Sequence, residues 1–187
     1  SLFLDTLKEL FEGNQALFNG LYAEKNWDWS RQHPVLRFSF GGGVLGSVAD
    51  LQDSLNEQLG TLEARFQLPA EYPDARSRFK RLILRLAETT GRTVVVLIDE
   101  YDKPILDRIE DREKATAIRE VLKDFYSVIK DSDPYLRFVF LTGVSKFSKV
   151  SLFSGLNNLQ DITIDPRYSA LCGYTDDDVD TVFAPEL

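Results

Sequence analysis

The chain has 187 residues, suited to one domain, and its 43% apolar content with thirteen Phe and seven Tyr supplies material for a real core. A formal net charge of −8 argues against a broad nucleic-acid-binding surface, because such binding rests on neutralising phosphates. One Cys (Cys172) and one His (His33) exclude an internal disulfide and argue against a structural zinc site. No apolar run approaches the ~18 residues needed to span a bilayer, and no cleavable signal peptide is visible. A reducing, cytoplasmic setting is the simplest fit.

In chain order, Phe3, Leu7, Leu10 and Phe11 fall at helical spacing, with Gly13 as the stop. A short second helix is expected over about Gln15 to Leu21. Asn26 to Pro34, with two Trp and a Pro, reads as irregular. Val35 to Phe40 reads as a strand ended by Gly41, Gly42 and Gly43. No Gly-Lys-Ser/Thr follows those glycines, so they are read as a flexible turn. Ser47 suits an N-cap, and Val48, Leu51, Leu55, Leu59, Leu62 and Phe66 form the stripe of a long amphipathic helix. Pro69 and Pro73 break it. Asp74 caps the next helix, whose Phe79, Leu82, Ile83 and Leu86 face inward and which Gly91 ends. Thr93 to Ile98 is a continuous β-branched run, the pattern of a strand buried on both faces. A helix is expected over about Arg112 to Lys130, then a turn at Asp133-Pro134. Leu136 to Leu141 is a further buried strand, Asp161 to Ile164 a last short one, and Thr175 opens a final helix with an acidic first turn. This alternation predicts a parallel sheet covered on both faces.

The chemistry concentrates at Val94-Val-Val-Leu-Ile-Asp99-Glu100. Two carboxylates at the carboxyl end of a buried strand sit where open α/β sheets bind ligands. Asp99 there can hold Mg²⁺, usually through water, and Glu100 can orient or deprotonate an attacking water. This is the Walker B pattern of ATPases with an additional catalytic Glu; the plainer reading of the two acids is a strand cap and turn. The neighbouring strand ends in Thr142-Gly-Val-Ser145, and either Thr142 or Ser145 can stand near a γ-phosphate or simply satisfy backbone groups. A P-loop, Gly-x-x-x-x-Gly-Lys-Ser/Thr, runs into a helix. Ser1 stands where its metal-binding hydroxyl would, although a helix that starts with Ser is by itself uninformative.

The segments Leu97-Ile-Asp-Glu-Tyr-Asp-Lys-Pro104, Leu141-Thr-Gly-Val-Ser-Lys-Phe-Ser148 and Leu159-Gln-Asp-Ile-Thr-Ile-Asp-Pro-Arg-Tyr168 running into Cys172-Gly-Tyr-Thr175, with Trp27-Asp-Trp-Ser30 and the opening helix, resemble the bacterial AAA-ATPase-like domain often fused to a C-terminal nuclease-like domain of the PD-(D/E)XK type. The resemblance spans nearly the whole chain. It implies an α/β, three-layer P-loop NTPase core with a parallel sheet, from which the first strand and the phosphate loop are missing. It makes Ser1 the last residue of Walker A, with Ser1 and Asp99 as Mg²⁺ and ATP ligands. Glu100 becomes the base, and Thr142 or Ser145 takes the sensor position. Residues 1–187 are then a single truncated domain, with about 166–187 starting a C-terminal extension. The intact protein is expected to hydrolyse ATP with Mg²⁺. The chain alone, without the loop Lys and amides, should bind ATP poorly. The alternative is a nucleotide-dependent switch or protein-interaction module with little turnover.

Expected partners are ATP, a nuclease-like domain in the parent chain, and a protein partner or further copies. Neither nucleic acid through this piece nor a membrane is expected. Arg76, Arg78, Lys80, Arg81 and Arg85 share one helix and are read as a solvated face. Asp102 and Lys103 are read as a loop-shaping ion pair, Arg167 as a surface residue, and Trp27 and Trp29 as packing. His33 lacks a visible partner and takes no role.

Overall fold

The computed structural model describes residues 1–144, 152, 153, 156, 158–171, 173, 175–182 and 184. Among these, seven α-helices flank a three-stranded parallel sheet. The strands are β1 (Val35–Ser39), β2 (Val94–Asp99) and β3 (Leu136–Leu141), hydrogen-bonded in the order β1-β2-β3. The helices are α1 (Leu2–Glu12), α2 (Tyr22–Asn26), α3 (Val48–Arg65), α4 (Ala75–Thr90), α5 (Lys103–Leu106), α6 (Arg112–Asp131) and α7 (Asp176–Thr181).

The helix boundaries have local causes. Gly13 takes a left-handed φ of 82° after α1, and the next amide, of Asn14, returns to the Glu9 carbonyl at 3.0 Å. Ser47, Asp74 and Asp111 each accept a main-chain N–H from the first turn of α3, α4 and α6 through their side chains. Thr175 and Asp178 close a capping box on α7.

Alternation along the strands sorts side chains to two faces. Leu36, Phe38, Val94, Val96 and Ile98 join α3, α4 and α6 in the larger core cluster. Its centre is aromatic: Phe79 stacks on Phe125 with centroids 4.7 Å apart, and Phe38 lies edge-on to both at 4.9 and 5.3 Å. Val35, Val95 and Leu97 face the other way and pack with Leu4 and Phe11 of α1. Helices on both faces give the expected three-layer α/β arrangement.

Four local expectations need correction. Gln15–Phe18 is a single 3₁₀ turn, not a helix to Leu21. Asp161 to Ile164 is not a strand: the Asp161 carboxylate accepts the Thr163 amide at 2.9 Å, which bends the chain into a turn. Lys103 pairs with Asp107 at 2.6 Å rather than with Asp102. His33 has a partner, since its Nδ1 lies 2.8 Å from the Thr93 carbonyl and its ring meets Phe11 edge-on.

The basic helix α4 also differs from a freely solvated face. Arg78 reaches Glu63 through two nitrogens at 3.0 and 2.6 Å and Asn56 at 2.9 Å. Arg81 pairs with Glu71, Arg76 and Lys80 with Asp131, and Arg85 with Glu88. Trp27 and Trp29 pack on Phe11 and Phe18, and Arg167 pairs with Asp165 on the surface, as expected.

Candidate functional site

The parallel register brings the strand ends together. Ser39 lies opposite Asp99, and Ile98 opposite Leu141, so Thr142 falls beside Asp99. Main-chain hydrogen bonds continue past the strands: Phe40 N–H to the Asp99 carbonyl at 3.1 Å, Thr142 N–H to Ile98 at 2.9 Å and Tyr101 N–H to Thr142 at 2.8 Å. All six residues of β2 are buried. The carboxylates therefore stand on a dry base whose backbone has little freedom.

The two oxygens of Asp99 are divided between neighbours. Oδ1 accepts the Thr142 hydroxyl at 2.5 Å. Oδ2 accepts from the main-chain nitrogen of Ser1 at the start of α1, and the Arg37 guanidinium of β1 lies 3.8 Å from it. Burial of Asp99 pushes its pKa up. The hydrogen bond from Thr142 and the charge of Arg37 act the other way, and the shift is downward. Arg37 also pairs with Asp5 in the first turn of α1, tying that turn to the sheet end.

Glu100 follows with a φ of 55°, a left-handed conformation uncommon for a residue with a side chain. Its N–H donates to the Thr142 hydroxyl oxygen at 3.2 Å, and its carbonyl accepts the Lys103 N–H at 3.1 Å. The Thr142 hydroxyl thus gives its proton to Asp99 and receives one from Glu100, linking both acids to β3. Asp102 is fully buried and accepts the Val144 N–H at 2.9 Å, joining the loop after β2 to the loop after β3. Tyr126 is buried beneath, its hydroxyl donating to the Tyr101 carbonyl at 3.0 Å; burial and the nearby Asp102 push its pKa up.

Four of the five expected site residues, Ser1, Asp99, Glu100 and Thr142, therefore converge at one end of the sheet. Ser145 lies outside the described residues. The glycine turn is less free than expected: Lys103 Nζ donates to the Gly43 carbonyl at 2.7 Å, and Arg108 Nε to Leu45 at 3.1 Å. Sequence reasoning missed Arg37 and the buried setting of Asp102. The signal for Arg37 was present, as a lone charge within Val-Leu-Arg-Phe-Ser; for Asp102 there was none beyond its closeness to the paired acids.

A cavity of about 680 Å³ runs along the far edge of β3, lined by Phe3, Phe138, Phe140, Phe153 and Leu159 among others. Asp99, Glu100 and Thr142 do not line it. Among the described residues, no cluster of three or more His, Cys, Asp and Glu is placed to hold a metal by itself, and no helix is long and apolar enough to cross a membrane.

A protein of Azotobacter chroococcum mcd 1, described as "Uncharacterized protein in vnfD 5'region", is 59% identical over 187 residues, covering 100% of this chain and 36% of that protein. The chain thus spans about a third of that relative's length. No solved structure matches. A family model described as "Predicted AAA-ATPase" matches residues 1–153, most of the chain, and the chain belongs to this AAA-ATPase-like family.

Proposed function

We propose that Ser1, Asp99, Glu100 and Thr142 form part of a site for Mg²⁺-dependent ATP hydrolysis. The observation that carries this reading is the meeting of three elements at Asp99: its own strand end, Thr142 from β3, and Ser1 at the start of α1. A helix start facing a strand-end carboxylate is a setting for phosphate and its metal. The donor set fits Mg²⁺, because a hard cation prefers oxygen, keeps several waters and needs only one or two protein oxygens beside the phosphates.

In this reading Asp99 would hold the metal through its waters, and the Ser1 hydroxyl would contribute a ligand. The bound metal would offset charge developing on the phosphate oxygens. Glu100 orients the attacking water and takes its proton, and Thr142 or Ser145 stands toward the γ-phosphate. Phosphoryl transfer of this kind is achieved by positioning and charge stabilisation, which a rigid sheet end can supply. The phosphate-gripping loop and a further parallel strand are proposed to come from residues ahead of Ser1 in a longer protein. The support is the edge of β3, which carries no strand among the described residues and has Phe138 36% exposed, whereas β2 is fully buried. Residues about 166–187 are proposed to begin a further C-terminal part, and a nuclease-like domain there is a proposal by resemblance.

The test is Glu100→Gln in the longer protein. Turnover should fall about 100-fold or more, the usual contribution of a positioned base, while calorimetric titration still shows Mg-ATP binding. Binding without turnover in the parent itself would favour a nucleotide-dependent switch. Failure of the parent to bind Mg-ATP would refute the site.

A further inference from the structure

We propose that Gly41 is a positioning residue for Glu100, and that its missing side chain is what seats the Glu100 carboxylate; this rests on the reading of Glu100 as the base. The main chain of Glu100 is held at both ends, by Thr142 on its N–H and by Lys103 on its carbonyl. Its left-handed φ is therefore set by neighbours, and only the side chain keeps freedom. The carboxylate lies over Gly41. A Cβ built on Gly41 would stand 3.0 Å from Oε1, 3.3 Å from Cδ and 3.4 Å from Oε2 of Glu100.

Two features separate this from an ordinary turn glycine. Gly41 does not take a left-handed φ, unlike Gly43 at +92°, so its backbone conformation does not call for glycine. The demand is for space, and the group that needs the space is the end of one flexible acidic side chain. Gly42, next along, would place a Cβ with nothing within 4 Å. An added methyl at 41 should therefore leave the fold alone and push the carboxylate aside. A methyl at 42 should do neither. Base catalysis depends on reach to a single water, so displacement by a few tenths of an ångström or a changed rotamer acts on kcat rather than on nucleotide affinity.

The experiment compares Gly41→Ala, Gly42→Ala, Glu100→Gln and the double variant Gly41→Ala/Glu100→Gln in the full-length protein that carries this domain. Gly41→Ala should lower kcat about tenfold or more with KM for ATP and thermal midpoint nearly unchanged, whereas Gly42→Ala should stay within about twofold of the parent. The double variant should turn over no more slowly than Glu100→Gln, because the methyl acts only through the carboxylate. A crystal structure of Gly41→Ala should show the carboxylate moved from its seat. Equal kcat for the two alanine variants, further slowing in the double variant, or an unmoved carboxylate would each overturn the proposal. Normal turnover in Glu100→Gln would instead overturn the reading of Glu100 itself. A slow Glu100→Gln beside a normal Gly41→Ala would remove only the role of Gly41.

Discussion

The two faces of the sheet are built differently. On one, α3, α4 and α6 cover β1 and β2 with a deep cluster that includes Leu51, Leu55, Leu59, Phe79, Leu82, Ile83, Leu122 and Phe125. On the other, α1 contributes Leu4 and Phe11 against Val35, Val95 and Leu97. On the thick face Glu63 and Arg78 form one nearly buried pair between α3 and α4. The thin face ends in Arg37, Asp5 and Asp99, tied to one another and to the start of α1. Charged groups at such a place are costly to bury without partners, and here each has one. The division teaches that the larger core holds the fold, while the face with less apolar cover carries the polar machinery.

The largest expected effect breaks the thick face. Phe79→Ala removes a ring stacked on Phe125 and edge-on to Phe38, and should cost about 3–5 kcal/mol in urea unfolding. Leu4→Ala on the thin face should cost about 2–3 kcal/mol, because α1 can settle more freely over a smaller cluster. Equal losses would remove the contrast.

Next comes the ion pair between α3 and α4. The side chains of Arg78 and Glu63 are only 10% and 8% exposed. Arg78→Ala would leave Glu63 buried without its cation, at a cost of about 3 kcal/mol. Arg81 and Glu71 are each 34% exposed, and Arg81→Ala should cost less than about 1 kcal/mol. Denaturant midpoints of the two variants decide whether burial, not the number of charges on α4, sets the effect.

The contrast between faces also explains what could be read from the sequence. Periodicity marks a helix that buries one stripe, so α3, α4 and α6 were legible, and their caps at Ser47 and Asp74 were local signals. The unbroken run Val94 to Ile98 announced a central strand. Asp161 to Ile164 was misread because a single side-chain hydrogen bond from Asp161 turns the chain, and alternation over four residues carries no information about it. At the site, Asp99 and Glu100 were legible as acids ending an apolar run, and Thr142 as a hydroxyl ending the next. Arg37 became meaningful only once the register placed β1 beside β2. Arg78 looked like its neighbours on α4 because pairing with Glu63 and Asn56 depends on how α3 packs, which no local pattern encodes.

The smallest effect tests the thin face through pH. Burial raises the Asp99 pKa, while the Thr142 hydroxyl and the Arg37 guanidinium favour its charged form and bring it below the ordinary carboxylate value. Between the folded and unfolded pKa values the unfolded chain binds more protons, so stability rises with pH there. The contribution from Asp99 is complete above about pH 4, the unfolded carboxylate range, and is lost as pH falls through the lower folded value. Asp99→Asn cannot titrate, so its stability should fall less steeply than the parent's as pH drops below about 4. Phe79→Ala, on the opposite face, should shift the whole curve down without changing its slope. Parallel acid limbs for the parent and Asp99→Asn would show that the partners of Asp99 do not favour its charged form, and the electrostatic distinction between the two faces would fall with them.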